Sequence, residues 1–352
     1  MKDHRINRHK LHPLENIVAI TVVAAICNVE TWKDIALFGD AKKGFFSKFL
    51  DLKNGIPSKD TLRRFFAALD PQVFETHFLQ WAQSLTKDKM IKENVSIDGK
   101  SPREANRMLE DNPIHLVSAW ASANELILGQ LRTDAKSNEI TAIPALLEAL
   151  FLQGSTVTID AMGCQKEIAK KIVEKEADYV LALKENYTTL LQDVIRSFDK
   201  KACHDFYQTL DCGHGRIEER KCSIITDLNF ILDRDSWMNL HAIARIDTRR
   251  TIKKTGEIQQ ETRYYITSLT HAEQISNAIR SHWGVENKVH WCLDMVFGED
   301  SSSKRKGFSA QNFSLINKIA LNLIRNNKEN DIANGRFNKY VSIKSKRRIA
   351  PY

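Results

Sequence analysis

Cysteine is sparse and badly spaced for the chemistry it could serve. Six cysteines in 352 residues include no CxxC pair, which speaks against a disulfide framework and fits a reduced, cytosolic compartment. Cys203, Cys212 and Cys222 lie near His204 and His214, but their spacing is poor for a zinc site. Long apolar runs are missing too. The candidate run, Ile17–Cys27, is shorter than the about 20 residues a bilayer span needs. Lys2, Arg5, Arg8 and Lys10 precede it in the manner of a secretory leader, yet Ile26 stands where a cleavage site wants a small residue. Leu14, Ile17, Val18, Thr21, Val22 and Ala25 follow helical spacing, so the run is expected to be a core helix of a soluble protein. No P-loop, no GxGxxG fingerprint, no Ser/His/Asp triad spacing, no repeat and no low-complexity segment occurs.

Acids are scarce in one place only. From Ser303 to Tyr352 twelve Lys and Arg face two acids, so this stretch holds +10 while the whole chain carries +8. A basic segment on a balanced body points to a polyanion such as DNA, because Lys and Arg that neutralise phosphates release condensed counterions. A solvated tail is the plainer reading of the same charges.

What is present describes an ordinary globular protein. Hydrophobic residues make up 42% and charged residues 27%, and the length suits two domains. Residues 1–85 read as helical: Leu14–Val29, then Thr61–Leu69 capped by Ser58-Lys-Asp60 and stopped by Pro71, then Val73–Leu85. Polar Lys87–Glu93 is a plausible boundary. The pattern then becomes mixed. Strands are expected at Asn94–Gly99, His115–Ala121, Leu126–Arg132, Thr156–Ile159 and Asp178–Leu183, with helices at Asn138–Phe151 and Gln165–Lys175. The first three strands can pair antiparallel and the later ones return through helices, which is an α/β sheet. Between about 203 and 268 the chain is strand-rich, with candidates Arg216–Ile225, His241–Ile252 and Glu257–Ser268 and a turn at Lys253-Lys-Thr-Gly256. Helices follow at Gln274–Trp291 and Asn312–Arg325.

Two aspartates share one context. Ser96-Ile97-Asp98-Gly99 and Thr158-Ile159-Asp160-Ala161 each end a hydrophobic strand in a carboxylate followed by a small residue. Such a carboxylate points into the crevice where α/β folds bind ligands, and Mg²⁺ is often held by a few carboxylates plus substrate phosphate. Alternatively, each Asp caps the turn that follows it. A third acid, Glu286, falls on the stripe Ile279, Trp283, Glu286, His290, beside the apolar stripe Ile275, Ala278, His282, Val285, Val289. That places it on or beside the buried face, where it needs a metal, a base or a proton; an ion pair with Arg280 or Lys288 is the alternative. Three carboxylates, two on strands and one on a later helix, suit two-metal phosphoryl displacement. Gly213-His-Gly215-Arg216 is too short for a nucleotide loop and reads as a hairpin tip, either near DNA or as a plain turn.

These residues, with others in order, resemble the DDE transposases of bacterial insertion sequences, specifically the H-repeat-associated branch found beside Rhs elements. The resemblance runs from Leu14 to about Arg325. It is carried by Ile56-Pro-Ser-Lys-Asp60, Leu69-Asp-Pro71, Ile97-Asp-Gly-Lys100, Lys136-Ser-Asn-Glu-Ile140, Thr158-Ile-Asp-Ala-Met-Gly-Cys-Gln165 and Asp178-Tyr-Val-Leu-Ala-Leu-Lys184. Gly213-His-Gly-Arg-Ile217, Tyr264-Tyr-Ile266, His282-Trp-Gly-Val-Glu-Asn287 and Glu299-Asp300 complete it.

The resemblance implies an RNase H-like α/β catalytic core, here 89–330, with a β-strand insertion at about 203–268. An N-terminal helical domain, 1–88, would precede it and a basic tail, 331–352, would follow. It implies Asp98, Asp160 and Glu286 as the metal-binding and catalytic triad and two Mg²⁺ or Mn²⁺ ions as cofactor. The reaction would be hydrolytic release of a 3′-hydroxyl at the element end and its attack on target DNA. The implied partners are the double-stranded terminal inverted repeats, target DNA and a second copy of the chain, in a cytoplasmic, nucleoid-associated setting with no membrane. Many relatives carry Tyr, Arg and Lys around the Glu where this chain has Ile279, His282 and Leu293. His282, Lys288, Arg216, Lys304, Arg305 and Lys306 are therefore the candidate DNA contacts. Asn330–Tyr352 also departs from the usual closing segment. A catalytically decayed DNA-binding protein and a structure-specific nuclease are the competing readings.

Overall fold

Among the described residues, helices are the only regular elements before the first strand, and several have a local reason to start where they do. In the computed structural model, residues 10–86, 93–100, 115–133, 139–213, 215–302 and 304–326 are described, with Asp3 and Arg5. Helix α1 (Leu14–Ile26) buries Ile17, Ile20, Val22, Ala24 and Ala25. The leader-like run is thus a core helix, and it packs against the last of the described helices. Thr31 caps α2 (Trp32–Ala41) by accepting from the Asp34 N–H at 3.1 Å. A short α3 (Lys43–Phe46) follows. Ser58 caps α4 (Lys59–Ala68) by accepting from the Thr61 N–H at 3.2 Å. Pro71 does more than stop α4: it opens α5 (Pro71–Thr86), the one helical position where a missing N–H costs nothing.

Among the described residues a nine-stranded sheet forms the frame, in the order β3-β2-β1-β4-β5-β9-β8-β7-β6. Strands β1 (Asn94–Lys100), β2 (His115–Ala121) and β3 (Leu126–Thr133) pair antiparallel. Helix α6 (Glu139–Ala149) leads to β4 (Thr156–Ile159), parallel to β1, and α7 (Lys166–Glu174) leads to β5 (Asp178–Leu183), parallel to β4. Helix α8 (Thr188–Lys200) then precedes β6 (Asp205–Gly213), β7 (Arg216–Ile225), β8 (Ala242–Ile252) and β9 (Ile258–Thr267). This strand-rich block joins the same sheet, because β9 pairs antiparallel with β5. No membrane-length apolar helix occurs among the described residues.

Alternation along the strands sorts the two faces. Val95, Ile97, Val157 and Ile159 face one core with α6, α7 and α8. On the other face, α9 (Ala272–Gly284) packs against β5–β9 through Ile275, Ala278 and Ile279. A π turn (Val285–His290), α10 (Trp291–Met295) and α11 (Ser309–Asn326) continue that layer. They share one core with α1–α5, reached through Trp120 of β2 and Ile127 of β3. The register Ser96↔Thr158, Ile97↔Ile159 therefore turns Ser96, Thr158 and the next carboxylates toward α9.

Candidate active site

A cleft of about 980 Å³ opens at the C-terminal ends of β1, β4 and β5, roofed by α9 and the π turn. Asp98, Asp160 and Glu286 all line it. The crevice beyond the carboxyl ends of parallel strands is where open α/β sheets bind ligands, and the sheet explains two of these positions directly. Ile97 and Ile159 are partners on adjacent parallel strands, about 4.8 Å apart, and each Asp is the next residue along. Strand β1 runs on to Lys100 rather than ending at Asp98.

Each carboxylate is held differently. Asp98 Oδ1 accepts from the Gly99 N–H at 2.9 Å, and its Oδ2 lies 3.5 Å from His290 Nδ1. Asp160 Oδ1 accepts from the N–H groups of Met162 at 3.0 Å and Gly163 at 3.3 Å. It thus caps its own turn with one oxygen while lining the cleft. That turn needs glycine, since a Cβ on Gly163 would run into Ile159. Glu286 differs from the expectation of a buried face: it is exposed to the cleft. Its stripe has already left the buried face one turn earlier, where Trp283 is 44% exposed, while Val285 and Val289 of the neighbouring stripe are buried. The proposed ion pairs are absent as well. Arg280 bonds Asp211 at 2.6 Å and Lys288 bonds Glu125 at 2.5 Å, so among the described residues neither neutralises Glu286.

Helix α9 is pinned above the aspartates by a polar chain. Thr158 Oγ1 donates to Ser96 Oγ at 3.1 Å and lies 3.0 Å from His282 Nδ1. Burial pushes the His282 ring below its ordinary pKa, with Asp160 pulling weakly the other way. The contact of Thr158 with Nδ1 makes His282 a brace for α9, while the ring also lines the cleft. Burial, then Lys100 and Lys318, push His290 down to about 3, so it is neutral at working pH.

The remaining candidate DNA contacts separate. Lys288 is held by Glu125 on the β2–β3 turn, outside the cleft lining. Arg216 is exposed at the tip of the β6–β7 hairpin, paired with Gly213. Its row lies seven residues along β7 from Ser223, which pairs with Arg245 opposite Tyr264 on the cleft wall, or roughly 24 Å. Lys306 is exposed and Arg305 half-buried. Lys304 contradicts the expectation of a solvated cation. It is only 7% exposed, with its ammonium 3.6 Å from the Phe313 ring centroid and 5.3 Å from that of Trp32. The basic segment beyond Asn326 lies outside the described residues, as do Lys136, Ser137 and His214.

Lys304 carries a stability prediction. Burial pushes its pKa from 10.5 down to about 8. The unfolded chain then binds more protons between those values, so stability rises as pH climbs from about 8 toward 10.5. Lys304→Met should remove its share of that rise and raise stability at pH 7 by on the order of 3 kcal/mol. Urea melts at pH 7 and 10 measure both; an unchanged pH dependence would contradict the assignment.

Among the described residues no zinc site forms from the cysteines. Cys212 pairs with Ile217 and Tyr207 with Cys222, so Cys212 and Cys222 lie five rungs apart, about 17 Å along the ladder. More generally, among the described residues no group of three or more His, Cys, Asp or Glu side chains is gathered closely enough to hold a metal ion. The three cleft acids supply the hard oxygen donors that Mg²⁺ and Mn²⁺ prefer, on an open rather than a closed arrangement. Sequence reasoning gave Thr158 no role and His290 only as a member of a helical stripe.

Residues 68–323 match the family model described as the transposase DDE domain, and residues 1–82 match the one described as DDE_Tnp_1-associated. The H repeat-associated putative transposase YhhI of Escherichia coli (strain K12) is 38% identical over 339 residues, covering 93% of this chain and 88% of its own. Putative protein YbfL of the same strain is 38% identical over 330 residues, 90% of this chain and 86% of its own. Putative transposase YncI of Escherichia coli O157:H7 is 37% identical over 327 residues, 90% and 83%. A solved piggyBac transposase synaptic complex with hairpin DNA overlays with a TM-score of 0.44 at 11% identity, over 96% of this chain and 73% of that one, a likeness too slight to bear on the fold.

Proposed function

The chain belongs to the DDE-domain transposases, in their H-repeat-associated branch, and from that premise we propose that it cuts DNA at the ends of its element and joins them to target DNA. The observation that carries this reading is the β1–β4 register, which sets Asp98 and Asp160 side by side in a cleft that Glu286 also lines. The strands β3-β2-β1-β4-β5 with helices on both faces are read as an RNase H-like core, with β6–β9 as its insertion, behind an N-terminal helical domain and before a basic tail.

Asp98, Asp160 and Glu286 are the residues that would hold two Mg²⁺ or Mn²⁺ ions. When bound, such ions activate the attacking oxygen and stabilise the leaving one in an in-line displacement. The protein's own contribution is placement. Backbone N–H groups fix one oxygen of each aspartate, and the Ser96–Thr158–His282 chain holds the helix that presents Glu286. Arg263 and Lys184 also line the cleft; with Lys306 and Arg216 they are the cations offered to the DNA backbone. A water would first be directed at the phosphodiester, freeing a 3′-hydroxyl, and that hydroxyl would then replace water as nucleophile. Two element ends call for a homodimer in the working complex, acting in the cytoplasm.

The test is a labelled duplex carrying the element's inverted repeats, incubated with target plasmid in Mg²⁺ or in EDTA. Metal-dependent 3′-hydroxyl ends at the repeat boundary and joined products are expected. Cutting of branched DNA without regard to the repeats would indicate a structure-specific nuclease instead. Binding without cutting would indicate a decayed copy. Salt dependence sorts the cations: Lys306→Ala should lower the slope of log K against log salt by about one. Lys304→Met should leave that slope unchanged, and the opposite ranking would return Lys304 to the DNA surface.

A further inference from the structure

Behind Asp98 lies a buried polar cluster that the phosphoryl-transfer reading does not use. Lys100 is two residues past Asp98, hence on the same face of β1. Its ammonium turns away from the cleft to Asp294 and to Glu299, 3.1 Å from Oε2 of the latter. Lys318 of α11 donates to Gln130 of β3 from a fully buried position. His290 bridges this cluster and the cleft. Its Nε2 is buried with no hydrogen-bond partner among the described residues, and its Nδ1 lies 3.5 Å from Asp98 Oδ2.

The backbone that delivers His290 is irregular in the same place. A single π turn runs from Val285 to His290, and π turns inside α-helices concentrate at functional sites. Here one such turn presents Glu286 to the cleft and sets His290 against Asp98. Because Lys100 is tied to Asp294 and Glu299, it is not the group that faces Asp98 Oδ2 across this gap.

We propose that His290 is a positioning residue for Asp98: its Nδ1–H donates to Oδ2 while the Gly99 N–H holds Oδ1, fixing the rotation of the carboxylate. The inference rests on the metal-binding role proposed above for Asp98. Groups that orient a metal ligand typically change metal affinity by about 10–100-fold when removed, because a site must be held to about 0.5 Å to work.

Mn²⁺ titration calorimetry on the full chain, with thermal melting alongside, tests it. His290→Phe keeps the ring volume and removes the donor; its Mn²⁺ dissociation constant should rise about 10–100-fold while the protein still melts cooperatively. His290→Asn restores a donor and should recover affinity to within about threefold of wild type. If His290→Phe does not fold, His290→Met replaces it with the same expectation. Wild-type Mn²⁺ affinity in a folded donor-less variant overturns the proposal, as does an Asn variant no better than Phe. Asp98→Asn separates the two levels. Loss of affinity there with none in His290→Phe sinks only the positioning role; no loss in Asp98→Asn sinks the metal-site reading itself.

Discussion

Glu286→Gln should reduce DNA cleavage by at least about a thousandfold, which is about 4 kcal/mol of transition-state stabilisation, while leaving affinity for the same DNA within about twofold. The side chain is exposed in the cleft, and among the described residues no ion pair engages it, so removing its charge leaves no partner stranded in the core. Folding should therefore be untouched and the effect confined to chemistry. Asp98→Asn and Asp160→Asn should behave alike in cleavage. They differ in structure, since Asp160 also closes the turn to Gly163. Comparing cleavage rates with equilibrium binding for the three variants decides the matter. Any one that cuts at the wild-type rate leaves the triad.

Glu299→Ala should destabilise the fold by about 3–5 kcal/mol, because it strands the charges that Glu299 compensates. Glu299 is 5% exposed and accepts from Lys100 at 3.1 Å. Burial alone would raise its pKa, but Lys100 and Lys318 outweigh that and hold it below the ordinary value. A depressed carboxylate contributes stability that is complete above its unfolded pKa of 4.5 and is lost as pH falls through the folded value. Lys100 is the converse. Burial pulls it down, Glu299 and Asp294 more than offset that, and its pKa ends raised. Its contribution is complete below 10.5 and is lost as pH rises through the folded value. Guanidinium melts of Glu299→Ala across acid and neutral pH check both sign and size. A loss below about 1 kcal/mol would mean that water already screens the cluster.

Much of this architecture was legible because its strands alternate. Expected and observed limits coincide for His115–Ala121, Thr156–Ile159 and Asp178–Leu183, where apolar faces are buried. Strand β6 was missed: it is the sheet's edge, largely exposed, with Phe206 and Leu210 facing outward, so no buried face writes a period into its sequence. The burial of Glu286 was misjudged for a related reason. Helical-stripe arithmetic placed Val285 and Val289 correctly in the core, but the stripe of Trp283 and Glu286 lies at its rim, facing the cleft. Lys304 looked like part of a basic run, and composition holds nothing to say that Trp32 and Phe313, far apart in sequence, enclose it. Asp98 and Asp160 were legible as a pair because each follows an Ile at the same rung of neighbouring strands.

Electron paramagnetic resonance of Mn²⁺ bound to the wild-type protein on element-end DNA tests the central claim most directly. If Asp98, Asp160 and Glu286 form one two-metal site, the ions should sit about 3.5–4 Å apart. They should then give an exchange-coupled spectrum that disappears in Glu286→Gln. Magnetically isolated ions in the wild type, or a coupled pair that survives Glu286→Gln, would contradict the account.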